Sequence, residues 1–112
     1  MTQQAVRQIL VNYSDFRGIQ RAKVIPESAR NIAAQNGVGF AGFASWLDLS
    51  PGDSDVIAKP DLSSEFALPW RREISWAPSD LFMDGKPLSQ CPRGLLKKVL
   101  KLFSQQGMTV KT

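Results

Sequence analysis

The sequence contains no histidine and one cysteine, Cys91. Without histidine there is no Ser-His-Asp or Cys-His nucleophile pair and no His-based metal site. A single cysteine excludes an internal disulfide and a multi-cysteine metal site, and it suits a reducing cytoplasm. No apolar run approaches the length of a membrane span. The first residues, MTQQAVRQIL, lack the basic start and long apolar core of a signal peptide. The expected location is therefore the cytoplasm. There is no internal repeat and no low-complexity tract.

Other chemistry is missing too. Gly37, Gly39 and Gly42 give only part of a G-x-G-x-x-G pattern, and they follow a helical stretch instead of opening one. Asp53, Ser54 and Asp55 resemble part of a calcium loop, without its remaining ligands or its terminal Glu. A solvated turn explains them better. Cys91 precedes Pro92 at a helix start, where a dipole could lower a thiol pKa; with no base nearby in sequence, a capping or half-buried structural role is expected. Trp46, Trp70 and Trp76 could stack bases or sugars, but one or two of them are expected in the core or an interface instead.

What is present is an ordinary globular composition. The 112 residues are 43% hydrophobic and 21% charged, which is enough apolar material for one small domain over 1–112. Lys and Arg exceed Asp and Glu by 14 to 10. Arg93, Lys97, Lys98 and Lys101 form the tightest basic group, on a helix whose other face is apolar. A solvated helix face accounts for them better than a phosphate-tracking patch, so neither a nucleic-acid nor a membrane partner is expected.

Local patterns predict the elements. Residues 7–14 alternate with Ile9, Val11 and Tyr13 on one face, as a strand does. A turn at Asp15-Phe16-Arg17-Gly18 leads to a second strand over 19–25, stopped by Pro26. Within that strand Ala22 and Val24 are expected toward the core, and Arg21 and Lys23 toward solvent or a partner. Pro26–Asn36 reads as a short helix with Ala29, Ile32 and Ala33 as its apolar stripe and Gly37 as its cap. Strands are predicted over 56–59 and 73–83, with Pro78 at a bulge or edge and a turn at Asp84-Gly85. The clearest helix runs from Pro92 to Gln106, with Leu95, Leu96, Val99, Leu100, Leu102 and Phe103 on one face and Gly107 as cap. Residues 108–112 are expected to begin a final strand with Val110 inward. The order predicts an α+β fold, a β-grasp-like mixed sheet with two helices packed on one face.

Residues 40–47 fit no period. Phe40, Phe43, Trp46 and Leu47 sit among Ala41, Gly42, Ala44 and Ser45, and Asp48, Asp53, Asp55 and Asp61 follow. A loop this apolar calls for a cover. By themselves these residues make no catalytic set.

Several segments together resemble the N-terminal domain of the glutamine synthetase family. They are DFRGIQRAKVIP (15–26), NGVGFAGFASW (36–46), SDVIAKPDLSS (54–64), LPWR (68–71), DGKP (84–87) and MTVKT (108–112). The likeness is greatest to the glutamine synthetase-like and γ-glutamylmethylamide synthetase-like branch. It implies a β-grasp domain followed by a catalytic domain that holds ATP, Mg or Mn, and glutamate; this chain itself is expected to carry no cofactor, no metal and no catalytic residue. It further implies a ring homo-oligomer in which each active site lies between the N-terminal domain of one subunit and the catalytic domain of its neighbour. The unfinished strand at 110–112 fits a longer protein of this kind better than the alternative, a free-standing β-grasp interaction module. Alone, the chain is expected to be inactive, and to be marginally stable or self-associating.

In that family the loop entering the shared site reads F-D-G-S-S. Counting back from Ser54 without gaps aligns Phe40–Ala44 with it, so the ammonium-binding aspartate becomes Ala41 and the two serines become Phe43 and Ala44. The resemblance thus makes Phe40, Ala41, Gly42, Phe43, Ala44, Ser45, Trp46 and Asp55 the substrate-pocket loop. An anion beside the nucleophile attracts ammonium and favours its deprotonation. Alanine and phenylalanine in its place suit an alkylamine better.

Overall fold

Alternating Ile9, Val11 and Tyr13 form strand β1 (Gln8–Ser14) and are all buried on its core face. The computed structural model describes residues 5–111. The turn at Asp15–Gly18, with Gly18 at φ 78°, returns the chain as antiparallel β2 (Gln20–Pro26), in register from Gln8↔Pro26 to Ser14↔Gln20. The hairpin is as expected, but the facing of β2 is not. Ala22 and Val24 are exposed, while Arg21 and Ile25 are half-buried. β2 is an edge strand, and among the described residues nothing buries the Ala22–Val24 face.

A 3-10 turn at Glu27–Ala29 leads into α1 (Arg30–Asn36), which buries Ala33 alone and leaves Ile32 60% exposed. Seven residues present too narrow a surface to bury a whole stripe. Arg30 makes up for this electrostatically, donating to Glu27 and to Glu65, which in turn accepts from the Ser75 hydroxyl. Gly37 ends the helix at φ 78°, its N–H bonded to the Ala33 carbonyl.

The short strand β3 (Val38–Phe40) was not evident in the sequence; three residues are too few for a period. It pairs antiparallel with β4 (Val56–Pro60), which buries Val56, Ala58 and Pro60. After a 3-10 turn at Leu62–Ser64, β5 (Phe66–Leu68) runs along the same strand, β6 (Arg71–Met83), that β4 pairs with. On its other edge β6 pairs parallel with β1 and then antiparallel with the two-residue β7 (Lys86–Pro87). The spatial order β2-β1-β6-β4-β3 makes a mixed sheet centred on β6. With two helices, it is the β-grasp-like α+β arrangement expected.

Pro78 sits inside β6, where the missing N–H would harm an unbroken ladder. Its carbonyl accepts from the Asp61 N–H, at the point where β4 has ended and the 3-10 turn interrupts the pairing. The irregularity predicted at Pro78 therefore falls in the neighbouring segment. The turn at Asp84-Gly85, both at positive φ, closes the β6–β7 hairpin as predicted.

Ile9, Val11, Tyr13, Val56, Ala58, Ala77 and Leu81 from the sheet, with Leu47, Leu88 and Cys91 from the loops, form the core. Cys91 also caps α2 (Pro92–Gln105), its sulfur accepting from the Gly94 N–H at 3.3 Å, as a structural cysteine at a helix start should. α2 itself departs from expectation. None of its residues is buried, and Leu95, Leu96 and Leu102 are each more than half exposed. Its first turns are held to the sheet by charge: Arg93 donates to Asp61 and Asp80 at 2.8 Å, and Lys97 to Asp80. The radius of gyration of 15.3 Å exceeds the ~13 Å of a compact chain near this length, because the helix projects from the sheet. Residues 108–111 form no strand and Val110 is exposed; Thr112 lies outside the described residues.

Candidate functional site

The loop after β3 is fixed from below by three contacts. Phe40 lies edge-on to Tyr13, ring centroids 5.0 Å apart. The Tyr13 hydroxyl donates to the Ser45 carbonyl at 3.0 Å, and burial pushes its pKa up, keeping it a donor. Leu47 has no exposed surface and joins the core. Between these anchors Gly42–Ala44 make a 3-10 turn. Gly42 is buried against the Ser54 carbonyl, which a Cβ would approach to 2.9 Å, so a side chain there would push the loop off the sheet.

Two non-glycine residues on either side of Leu47, Trp46 and Asp48, adopt left-handed φ values of 58° and 57°. Each costs about 1–2 kcal/mol of backbone strain. The pair of reversals turns Leu47 inward while sending Trp46 out, 54% exposed. Phe43 is 63% exposed on the same loop. The apolar loop is thus covered on one side by the core and bare on the other.

The bare side faces the β1–β2 hairpin. The Trp46 carbonyl accepts from the Phe16 N–H at 3.2 Å, and the Arg17 guanidinium lies over the Trp46 ring, 4.1 Å from its centroid. Arg21 stands 5.9 Å from the same ring and donates through Nε to Asp15 at 2.8 Å. Lys23 donates to the Gly39 carbonyl and lies 5.0 Å from the Phe40 ring. Burial pushes the Asp15 carboxyl up, but bonds from Arg21 and from the Ile19 and Arg17 N–H groups outweigh it and hold the group ionised, below its ordinary pKa. A pocket of about 340 Å³ opens between β2 and the loop, lined by Tyr13, Arg21, Ala22, Lys23, Phe40, Ala41 and Ala44.

The structure brings Phe40, Ala41 and Ala44 to this pocket, while Gly42 and Ser45 serve the loop's interior and Phe43 and Trp46 point outward. Asp55 is exposed just before β4, close to Gly39, and is not among the residues lining this pocket. Asp53 closes a turn by accepting from the Ser50 N–H, and Asp61 caps the 62–64 turn and holds Arg93. Arg21 and Lys23 were legible only as a wet or partner-facing strand face, and Arg17 only as part of a turn; no local signal says that they look onto the 40–47 loop, because the two are joined by long-range pairing.

No family model matches the chain. A glutamine synthetase of Rhizobium leguminosarum bv. phaseoli is 41% identical over 108 residues, 96% of this chain and 25% of its own length. A glutamate–methylamine ligase of Methyloversatilis universalis is 32% identical over 109 residues, again 96% and 25%. The solved GmaS/ADP complex superposes with a TM-score of 0.86 at 41% identity, covering 91% of this chain and 24% of that one. The chain spans about a quarter of the length of these curated relatives, and it is homologous to the N-terminal quarter of proteins of the glutamine synthetase family.

Proposed function

We propose that this chain is the N-terminal domain of a cytoplasmic, ATP-dependent ligase that joins the γ-carboxyl of glutamate to an amine. In that reading residues 40–46 and Asp55 border an active site completed by the catalytic domain of a neighbouring subunit in a ring. In the reaction glutamate, a protonated amine and ATP give the γ-glutamyl amide, ADP, phosphate and one proton. Among the described residues no three of His, Cys, Asp and Glu cluster to hold a metal ion, and no glycine-rich loop opens a helix toward a phosphate. In this reading ATP and Mg or Mn are held by the catalytic domain and not by the residues of this chain.

The observation that carries the amine is Ala41. It lines a pocket with Phe40 and Ala44 at the position that the resemblance gives to an ammonium-binding aspartate. A pocket wall without that carboxylate gives a bare ammonium ion nothing to bind. The exposed Phe43 and Trp46 supply apolar surface for a neighbouring subunit to cover.

Amine-dependent phosphate release by the native gene product tests this reading. Turnover with methylamine or larger amines, and weak response to ammonium, is expected. Saturation by ammonium at micromolar concentration, with no response to the amines, overturns it. The intact mass of that product bears on the rest: a native mass of 12.4 kDa would favour the free-standing interaction module.

A further inference from the structure

The charge around Ala41 is opposite to what binding a plain ammonium or alkylammonium ion would need. Three cations face the loop from the hairpin, and one carboxylate accompanies them. That carboxylate, Asp15, has a wholly buried side chain and is committed to Arg21 and two backbone N–H groups. Among the described residues Lys23 and Arg17 make no ion pair, and Arg21 uses only Nε on Asp15. Asp55 lies close to Gly39, whose carbonyl Lys23 bonds, but forms no ion pair with Lys23. Lys23 and Arg21 both line the pocket that Ala41 borders. A carboxylate at position 41 would face these cations; with alanine there, Arg21 keeps Asp15, and among the described residues Lys23 has no ionic partner beside the pocket.

We infer that Lys23, with Arg21 behind it, is an anion subsite next to Ala41, so the acceptor is a short amine carrying its own acid group. The inference rests on the amine-ligase reading above and narrows its substrate class. Such an acceptor, an aminoalkyl carboxylate or sulfonate, places its anion on the Lys23 ammonium while its carbon chain lies along Ala41, Ala44 and the Phe40 ring. The charge-assisted contact selects against a neutral-tailed amine of the same length, since covering the Lys23 ammonium without giving it an anion is unfavourable.

The test uses 3-aminopropanoate against n-propylamine, which lacks the acid, and propanoate, which lacks the amine. In amide chemical-shift titrations of the 112-residue chain, 3-aminopropanoate and propanoate are expected to move Lys23, Ala41 and Ala44, and n-propylamine to leave them in place. Lys23→Met should weaken the response about tenfold, the loss of one charged hydrogen bond, and Lys23→Arg should retain it. Movement by n-propylamine equal to that by 3-aminopropanoate, or no movement by either acid, overturns the subsite. Phosphate release by the native gene product separates the two readings. Turnover with n-propylamine but not with 3-aminopropanoate overturns the acidic acceptor and leaves the ligase standing. Binding of the acids at Lys23 without turnover of any amine supports the subsite and counts against the ligase.

Discussion

The Tyr13 hydroxyl reaches the main-chain carbonyl of Ser45 across 32 residues of sequence, in a buried hydrogen bond of 3.0 Å. This bond joins the first strand to the candidate loop and holds the turn from which Trp46 projects. Tyr13→Phe keeps the edge-on contact with Phe40 but strands the Ser45 carbonyl. The expected loss is about 1–2 kcal/mol in urea unfolding, with faster amide exchange over residues 42–47 than elsewhere. Unchanged exchange in that segment would mean that the loop is held by its other contacts and not by the Tyr13 hydroxyl.

Gly37 combines a φ of 78° with a ψ near 180°, a backbone region essentially closed to side chains. An added Cβ would also overlap the Ile57 side chain. Gly37→Ala is therefore expected to cost about 2–4 kcal/mol, strain and overpacking together. Gly85 has a similar φ of 77° with open space around it, so Gly85→Ala should cost only about 1 kcal/mol. Equal losses in thermal unfolding of the two variants would contradict the role given to the β3–β4 packing.

Asp61 gives the fold an acid dependence. The Ser63 hydroxyl and the Arg93 guanidinium hold its carboxyl well below the usual carboxylate range. A carboxyl depressed in the folded state contributes stability that is present above its unfolded pKa, near ~4, and is lost as pH falls below that toward the folded value. The stability gap between the wild type and Asp61→Asn should thus narrow by about 1 kcal/mol between pH 7 and pH 3. Chemical unfolding at both pH values measures it. A gap that stays constant would remove Asp61 from the acid response.

α2 presents Leu95, Leu96, Val99, Leu100, Leu102 and Phe103 to solvent in this chain. Substituting Leu95 and Leu102 by Glu should change the unfolding free energy by less than ~0.5 kcal/mol each, whereas Leu47→Ala in the core should cost about 2–5 kcal/mol. The same Glu substitutions should lower self-association in sedimentation at high concentration, since they break a continuous exposed apolar face. Large destabilisation by either Glu would show that the face is packed in the isolated chain.

Where a segment was long enough to show its period, the sequence alone determined the element. β1, β4, β6 and α2 follow from alternation or from a 3.6-residue stripe, and the Asp15–Gly18 and Asp84-Gly85 turns follow from their residue types. Cys91 as a cap was legible for the same reason, since an N-cap is a local contact. Tertiary structure decided whatever depends on what lies opposite. Val24 and Ile32 read as core residues, but an edge strand and a seven-residue helix have too little chain to cover them. The stripe of α2 was correctly placed on the helix and wrongly placed in the core, because amphipathicity shows that a face seeks cover without showing that this chain supplies it. Arg21 and Lys23 likewise read as a face turned to solvent or a partner. Only the pairing of β1 with β6, and of β3 with β4, brings the 40–47 loop over them and makes the charge beside Ala41 a property of the site.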